Sequence, residues 1–360
     1  MEERALCKEC IKLIDKPLKF EQSQKDGCWL CNGIFEEINS LAELVIKKLS
    51  CYEYSTFLIG SKFDNDILER AKELGIDVKG KFNEKIGLVV SHALNKNPDF
   101  KKPDIIAIVD TSYNVVKLQI RSIYIYGRYI KLVRGIPQTR FYKKCFEKIY
   151  ETSVEEEIGK KILFYANGTN YKFHGMGRED IDARMLGNGR PFILEVINPK
   201  IRNIDLESLK SEINESRFVN VSSLRFCEKE EIMKMKSRRD YKTYRAIVEF
   251  DSELSEEKVN SLERQFNNVK ITQLTPKRVE HRRARIARVR TIKEVRVKSI
   301  NCGRGEFLIK GEGGAYIKEF IHGDMGRTVP NIADYLGEKC KIVSLDVVTM
   351  HDGEECGDKF

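Results

Sequence analysis

The spacing of apolar side chains divides this chain into two regions. Between Gly33 and Leu49, apolar residues stand at positions 34, 38, 41, 45 and 49, the period of a helix with one buried face. Thr56–Ile59 predicts a short strand, Asn65–Leu74 a helix stopped by Gly75, and Lys85–Leu94 a further helix. Strands are expected at Asp104–Val109, Val115–Leu118 and Ser122–Tyr126. This alternation predicts an α/β domain. From about residue 150 the strands lengthen: Phe192–Ile197, Phe218–Phe226, Tyr241–Phe250, Val269–Leu274, Ala287–Val297, Glu306–Ile309 and Cys340–Val347. Helices are expected between them at Leu206–Ile213, Glu228–Met235, Glu256–Phe266 and Tyr316–His322. In the third of these, Val259, Leu262 and Phe266 share a face and Ser255 is placed to cap. Such an order predicts an α+β domain on a large, mainly antiparallel mixed sheet.

A chain of 360 residues with 41% hydrophobic content can build packed cores, and two domains are the expectation. No apolar run approaches a membrane span, and Met1-Glu2-Glu3-Arg4 has no signal-peptide pattern, so a soluble cytoplasmic protein is expected. Lys and Arg outnumber Asp and Glu by 64 to 55. The distribution of that excess matters more than its size. Lys277–Lys298 reads KRVEHRRARIARVRTIKEVRVK, ten basic residues against two glutamates, with Ile286, Val289, Ile292, Val295 and Val297 interleaved. The segment is therefore amphipathic and folded, with the charge density of a phosphate-binding surface, and Arg282, Arg283 and Arg285 are its candidate RNA contacts. Arg128, Lys131, Arg134 and Arg140, near Tyr129, form a second candidate set of phosphate contacts.

Ten cysteines in an intracellular chain are read as thiols or metal ligands before disulfides. Cys7-x-x-Cys10 and Cys28-x-x-Cys31 are separated by seventeen residues, the spacing of a four-thiolate zinc site, and Gly27 and Gly33 supply tight turns beside the second pair. Residues 1–35 are thus expected to form a knuckle around a structural zinc ion. Cys51, Cys145, Cys227, Cys302, Cys340 and Cys356 are scattered and carry no such pattern.

The densest chemistry lies in Gly177-Arg178-Glu179-Asp180-Ile181-Asp182-Ala183-Arg184-Met185-Leu186-Gly187, followed by Gly187-Asn188-Gly189-Arg190-Pro191 and the apolar run from Phe192. A carboxylate among arginines at a strand entrance stays ionised, as a nucleophile or base must. The segment Met176–Pro199 resembles the active-site loop of pseudouridine synthases, above all the archaeal tRNA pseudouridine-54/55 synthases, which carry a THUMP-containing N-terminal domain. Lys242-Thr243-Tyr244-Arg245-Ala246-Ile247-Val248 resembles the strand whose tyrosine stacks on the target base. Gly313-Gly314-Ala315-Tyr316-Ile317-Lys318-Glu319 resembles the strand-to-helix motif of TruB-type enzymes. The stretch from Pro103 to Lys131 resembles the C-terminal half of a THUMP region.

The resemblance implies that Arg178-x-Asp180 makes Asp180 the essential residue, with Asp182 second. It implies that Lys318 pairs with the aspartate, that Tyr244 and Tyr316 line the base pocket, with Tyr244 stacking on the uracil and helping to remove the C5 proton, and that Arg178 fills the gap left by the base or holds phosphate. It implies tRNA as partner, with T-loop uridines 54 and 55 as targets. Residues 36–145 would be the THUMP-containing accessory domain and residues 146–360 the synthase domain, in a monomer. Relatives often carry a second cysteine-rich insert after this point; only Cys145 stands there, so one metal site is expected. Pseudouridine formation consumes no nucleotide and needs no organic cofactor, and no GxxxxGK[ST] loop is present. The missing nucleotide and methyl-donor loops disfavour another THUMP-linked modifier, and a non-catalytic RNA-binding protein on the same scaffold remains the alternative.

Overall fold

The computed structural model describes residues 5–14, 27–141, 149–252, 254–301 and 303–353. The chain packs as two compact units, one of residues 1–123 with 163–170 and 196–204, the other of residues 124–162, 171–195 and 205–360.

The first unit contains α1 (Lys8–Ile11), α2 (Ile38–Leu49), β1 (Thr56–Lys62), α3 (Asn65–Glu73), α4 (Val78–Leu94), β2 (Asn97–Pro98), β3 (Ile105–Asp110) and β4 (Val115–Ile120). Its sheet runs β2-β1-β3-β4, with β1 parallel to both β2 and β3 and β4 antiparallel to β3. This is the expected α/β arrangement. Helix α4 begins seven residues before the expected Lys85, because the Asp77 side chain accepts from the Gly80 amide at 2.8 Å and lets Val78 and Phe82 join Ile86 and Val90 in the core. The four knuckle cysteines are buried in the same core as Leu41, Val45, Phe57 and Phe82. A short cysteine-rich segment has too few apolar residues for a core of its own and shares this one.

The remaining elements are β5 (Ile123–Lys131), α5 (Val154–Ala166), β6 (Asn170–Gly175), β7 (Arg184–Ile197), α6 (Leu206–Ile213), β8 (Val219–Cys227), α7 (Glu230–Ser237), β9 (Tyr241–Phe250), α8 (Glu256–Gln265), β10 (Val269–Leu274), β11 (Ala287–Asn301), β12 (Arg304–Gly311), α9 (Ile317–His322), β13 (Thr328–Val329), α10 (Ile332–Leu336) and β14 (Cys340–His351). Ten strands form one sheet in the order β13-β10-β11-β12-β9-β14-β7-β5-β8, with β6 paired to β7. Strand β7 lies parallel to β14, whereas β9, β11, β12 and β14 pair antiparallel. The large mixed, mainly antiparallel sheet is the one the pattern predicts.

Two differences bear on the site. Strand β5 was expected at the end of the accessory domain but pairs with β8 in the large sheet, and residues 124–162 pack with the second unit. Apolar and aromatic residues fill both faces of β5 from Ile123 to Tyr126, and such a pattern alone does not say which sheet a strand enters. Strand β7 starts at Arg184, eight residues earlier than expected, because its glycines sit inside the strand. Gly187 has φ 61°, and a Cβ there would lie 1.7 Å from the Val348 carbonyl oxygen of β14.

Candidate active site

Asp180 lies in the loop between β6 and β7, above a bed of buried charge. Its neighbour Glu179 points inward, accepting from Arg190 Nε at 2.9 Å and from the Tyr129 hydroxyl at 2.8 Å, with Lys131 Nζ 3.9 Å away. Arg190 Nη1 donates to the Met176 carbonyl at 2.9 Å, and Gln138 donates to the Gly177 carbonyl at 2.9 Å. Lys131 Nζ donates to the carbonyls of Ile136, Asp180 and Ile181 at 3.0–3.3 Å. Below Asp182, Arg134 donates to its carbonyl and, together with Arg184, pairs with buried Asp346. Each end of the loop is thus fixed through its backbone, leaving the Asp180 and Asp182 side chains outward.

The Asp180 carboxylate is partly exposed and meets two cations. Arg278 Nη1 donates to Oδ1 at 3.0 Å, and Lys318 Nζ stands 3.5 Å from Oδ2. Burial works against its charge, but Arg278 first and Lys318 second outweigh it and hold the carboxyl below the usual range. Arg278 is itself gripped from behind by Glu319, which is 2% exposed, through Nε at 2.7 Å. Burial lowers the affinity of Arg278 for its proton, but Glu319 and Asp180 raise it further and keep it charged. Lys318 makes its closest contacts with Asp182, at 2.8 and 2.7 Å, so it bridges the two aspartates instead of serving Asp180 alone.

Asp180, Arg278 and Lys318 line a cleft of about 350 Å³ in the second unit. Tyr244 on β9 and Tyr316, at the cap of α9, line it, and Arg178 stands exposed at its rim. The Tyr316 backbone is locked by Gln273, which accepts from its amide and donates to its carbonyl, both at 2.9 Å. Arg283, Arg288 and Arg290 form a basic wall without a carboxylate partner among the described residues. Arg283 reaches the Tyr316 hydroxyl at 3.4 Å, and Arg290 Nε is buried without a hydrogen bond. Arg285 is exposed beside the cleft and pairs with Glu280 at 2.6 Å. The Arg282 side chain lies outside the described residues, as do Cys145, Cys302 and Cys356.

Two expectations are corrected. Arg128 and Lys131 are 4% and 0% exposed and are not placed to meet phosphate. Arg128 pairs with buried Asp352 at 2.7 Å and donates to the Asn188 and Gly189 carbonyls, while Lys131 braces the Asp180 loop. A basic residue on a β-strand has the same signature in sequence whether its face is wet or buried. Conversely, Arg278 and Glu319 were not singled out. Arg278 lay within the basic run from Lys277, but nothing in that run distinguishes it from its neighbours.

In the first unit, Cys7, Cys10, Cys28 and Cys31 are all buried, with their Sγ atoms within 4.8 Å of one another. Cys7 and Cys31 Sγ lie 3.7 Å apart, close to the edge of about 3.8 Å that a tetrahedron with metal–sulfur bonds of about 2.3 Å requires. Asn32 and Gly33, both left-handed, turn the chain sharply after the second pair. The donor set and its spacing suit a metal ion.

A partly exposed carboxylate held by two cations stands in a basic, tyrosine-lined cleft on a mixed sheet. Residues 124–351, which contain all of it, match the family described as Pus10, C-terminal, and residues 41–110 match the Pus10 THUMP domain, archaeal. The chain is 39% identical over 346 residues to the tRNA pseudouridine synthase Pus10 of Methanocaldococcus jannaschii, covering 91% of this chain and 76% of that protein. It is 41% identical over 355 residues to that of Methanothermobacter marburgensis (92% and 87% covered) and 36% over 363 residues to that of Archaeoglobus fulgidus (96% and 99%). Among solved structures it is similar to a chain of a Cbf5-Nop10-Gar1 complex, at 17% identity and a TM-score of 0.37, covering 62% of this chain and 48% of that one. The chain belongs to the Pus10 family.

Proposed function

We propose that this chain is a tRNA pseudouridine synthase that isomerises uridines 54 and 55 of the T-loop, with Asp180 as the reacting carboxylate. The observation that carries the reading is the Asp180 carboxylate, lining the cleft with Arg278 and Lys318 on its oxygens. The reaction breaks the N1–C1′ bond, turns the base and joins C5 to C1′. Asp180 starts it by attacking C1′ or by taking the C2′ proton, and both routes need a carboxylate that is ionised and fixed in direction. A uridine in folded RNA must first leave its stack, at a cost of a few kcal/mol. Stacking on Tyr244 or Tyr316 and phosphate contacts to the wall at Arg283, Arg288 and Arg290 offset that cost. The THUMP-containing region grips a distant part of the same tRNA. The enzyme works as a cytoplasmic monomer without an organic cofactor; among the described residues no helix is long and apolar enough to cross a membrane.

Substituting Asp180→Asn removes the charge and keeps the shape. Pseudouridine formation in unmodified tRNA is expected to fall by at least about 10³-fold, with tRNA affinity changed by less than about tenfold. Full turnover by the variant would overturn the assignment, and tRNA binding without isomerisation by the unsubstituted protein would favour a binding-only role. The four cysteines hold a structural zinc ion in this reading, their thiolates closing its tetrahedron. Elemental analysis should find one zinc per chain, lost in Cys28→Ala together with order in the first unit's core.

A further inference from the structure

Lys242 stands two residues before Tyr244 on β9, so the pleat turns both side chains to one face, and both line the cleft. The lysine is 9% exposed, and its amine makes no hydrogen bond or ion pair among the described residues. A Cβ built on Gly177 would lie 3.3 Å from Lys242 Nζ and 3.4 Å from Arg190 Nη1. The amine, the guanidinium and the backbone of the Asp180 loop therefore meet at the cleft floor, three residues from Asp180. Glu179, the buried carboxylate of that neighbourhood, already serves Arg190, Tyr129 and Lys131. A buried ammonium without a partner is unfavourable, whereas a neutral amine lining the cleft keeps a lone pair free to take a proton.

We propose that Lys242 is the base that removes the C5 proton in the last step of the isomerisation. The inference rests on the synthase reading above and adds a residue to it. Once C5 is joined to C1′, C5 still carries its original hydrogen and N1 is doubly bonded to C6. The C5–H electron pair becomes the C5=C6 bond, the N1=C6 pair moves to N1, and the amine lone pair takes the proton. The ammonium then returns a proton to N1, leaving pseudouridine and a free amine. No outside reactant is consumed.

The surroundings match this duty. Burial, and next the charge of Arg190, push the Lys242 amine down to about 7, while Glu179 and Asp240 pull the other way. A base with this value is unprotonated just above neutrality yet basic enough to act. Tyr244, the other candidate on the same strand face, is pushed up to about 12 by burial. Its hydroxyl keeps its proton at neutral pH, which leaves it stacking and hydrogen bonding.

The test uses the full-length protein, tRNA carrying uridine, and tRNA carrying 5-fluorouridine, whose C5–F bond offers no proton, so reaction stops after C5–C1′ bond formation. Lys242→Met is expected to convert 5-fluorouridine tRNA to the C5-linked product at the unsubstituted rate, which also reports an intact site. Pseudouridine formation from uridine tRNA should fall at least about 100-fold, and the rise in rate through pH 7 should vanish. Lys242→Arg, charged at every accessible pH, should be as slow as Lys242→Met on uridine. Equal slowing on both tRNAs, or unchanged turnover of uridine, would overturn the role. Failure of the unsubstituted protein to make either product would instead sink the synthase reading, and Lys242's role with it.

Discussion

Glu179 and Asp180 are adjacent in sequence and opposite in fate. Glu179 is turned into the protein, where Arg190, Tyr129 and Lys131 surround it and its side chain is 1% exposed. Asp180 is turned outward, 31% exposed, with Arg278 and Lys318 on its oxygens and the cleft in front of it. Both carboxylates are paired with cations, so pairing does not distinguish a brace from a reacting group. The surroundings of the pair do. The cations on Glu179 spend their remaining hydrogen bonds on loop carbonyls, while those on Asp180 sit at a wall that a ligand can reach. The first arrangement holds a backbone in place; the second holds an anion ready.

The sharpest way to break this contrast is to neutralise the buried partner. Glu179→Gln leaves Arg190 and Lys131 without a counter-charge in a desolvated site. Removing one member of such a pair typically destabilises by about 3–5 kcal/mol. The variant should melt well below the unsubstituted protein at neutral pH, and added tRNA should only partly restore it. A melting temperature within about a degree of the original, with activity lost, would make Glu179 a chemical participant instead of a brace.

A smaller effect is expected from the outward pair. Asp180 is held below the ordinary carboxylate range because Arg278 and then Lys318 overcome the opposing effect of burial. In Arg278→Met burial is less opposed and the carboxyl pKa rises. The protonated, inactive form then appears at higher pH, so the acid limb of activity shifts upward. Reading the limb with 5-fluorouridine tRNA separates it from the C5 step. Near neutrality the rate should fall about 10- to 100-fold through lost orientation, and the melting temperature should fall as well, because buried Glu319 loses its cation. Arg278→Lys should recover part of the limb; an unshifted limb in both variants would remove Arg278 from the control of Asp180.

Much of this was legible in the sequence, and the parts that were not share a cause. The bounds of β9, β10 and α6 match the expected ones residue for residue, because regular periodicity and polar ends reach the one-dimensional pattern. Asp180, Tyr244, Tyr316 and Lys318 came from short motifs and meet in one cleft. Helix α5 escaped notice although Val154, Ile158 and Ile162 are all buried at helical spacing. Its three consecutive glutamates and Gly159 mask that stripe, and the glycine is there because a Cβ would come within 2.3 Å of the Tyr171 ring. The role of Arg278 depends on a turn at 277–282 bringing it to Asp180, ninety-eight residues away along the chain. No local pattern encodes such a meeting.

The finest test of buried against open charge compares two cations that look equivalent in sequence. Arg283 is exposed on the cleft wall, and Lys131 is enclosed under the loop. Each phosphate neutralised on binding releases counterions, so the affinity for tRNA falls with salt in proportion to the number of open cations engaged. Arg283→Ala should flatten the slope of log affinity against log salt by about 0.7–0.9, one phosphate's worth, while leaving the melting temperature unchanged. Lys131→Met should do the reverse, leaving the slope as it was and lowering the melting temperature, since its three carbonyl acceptors lose their donor. If Lys131→Met flattened the slope as Arg283→Ala does, the loop would have to open on binding and bring Lys131 to phosphate. The line between the brace under Glu179 and the site around Asp180 would then hold only for the free protein.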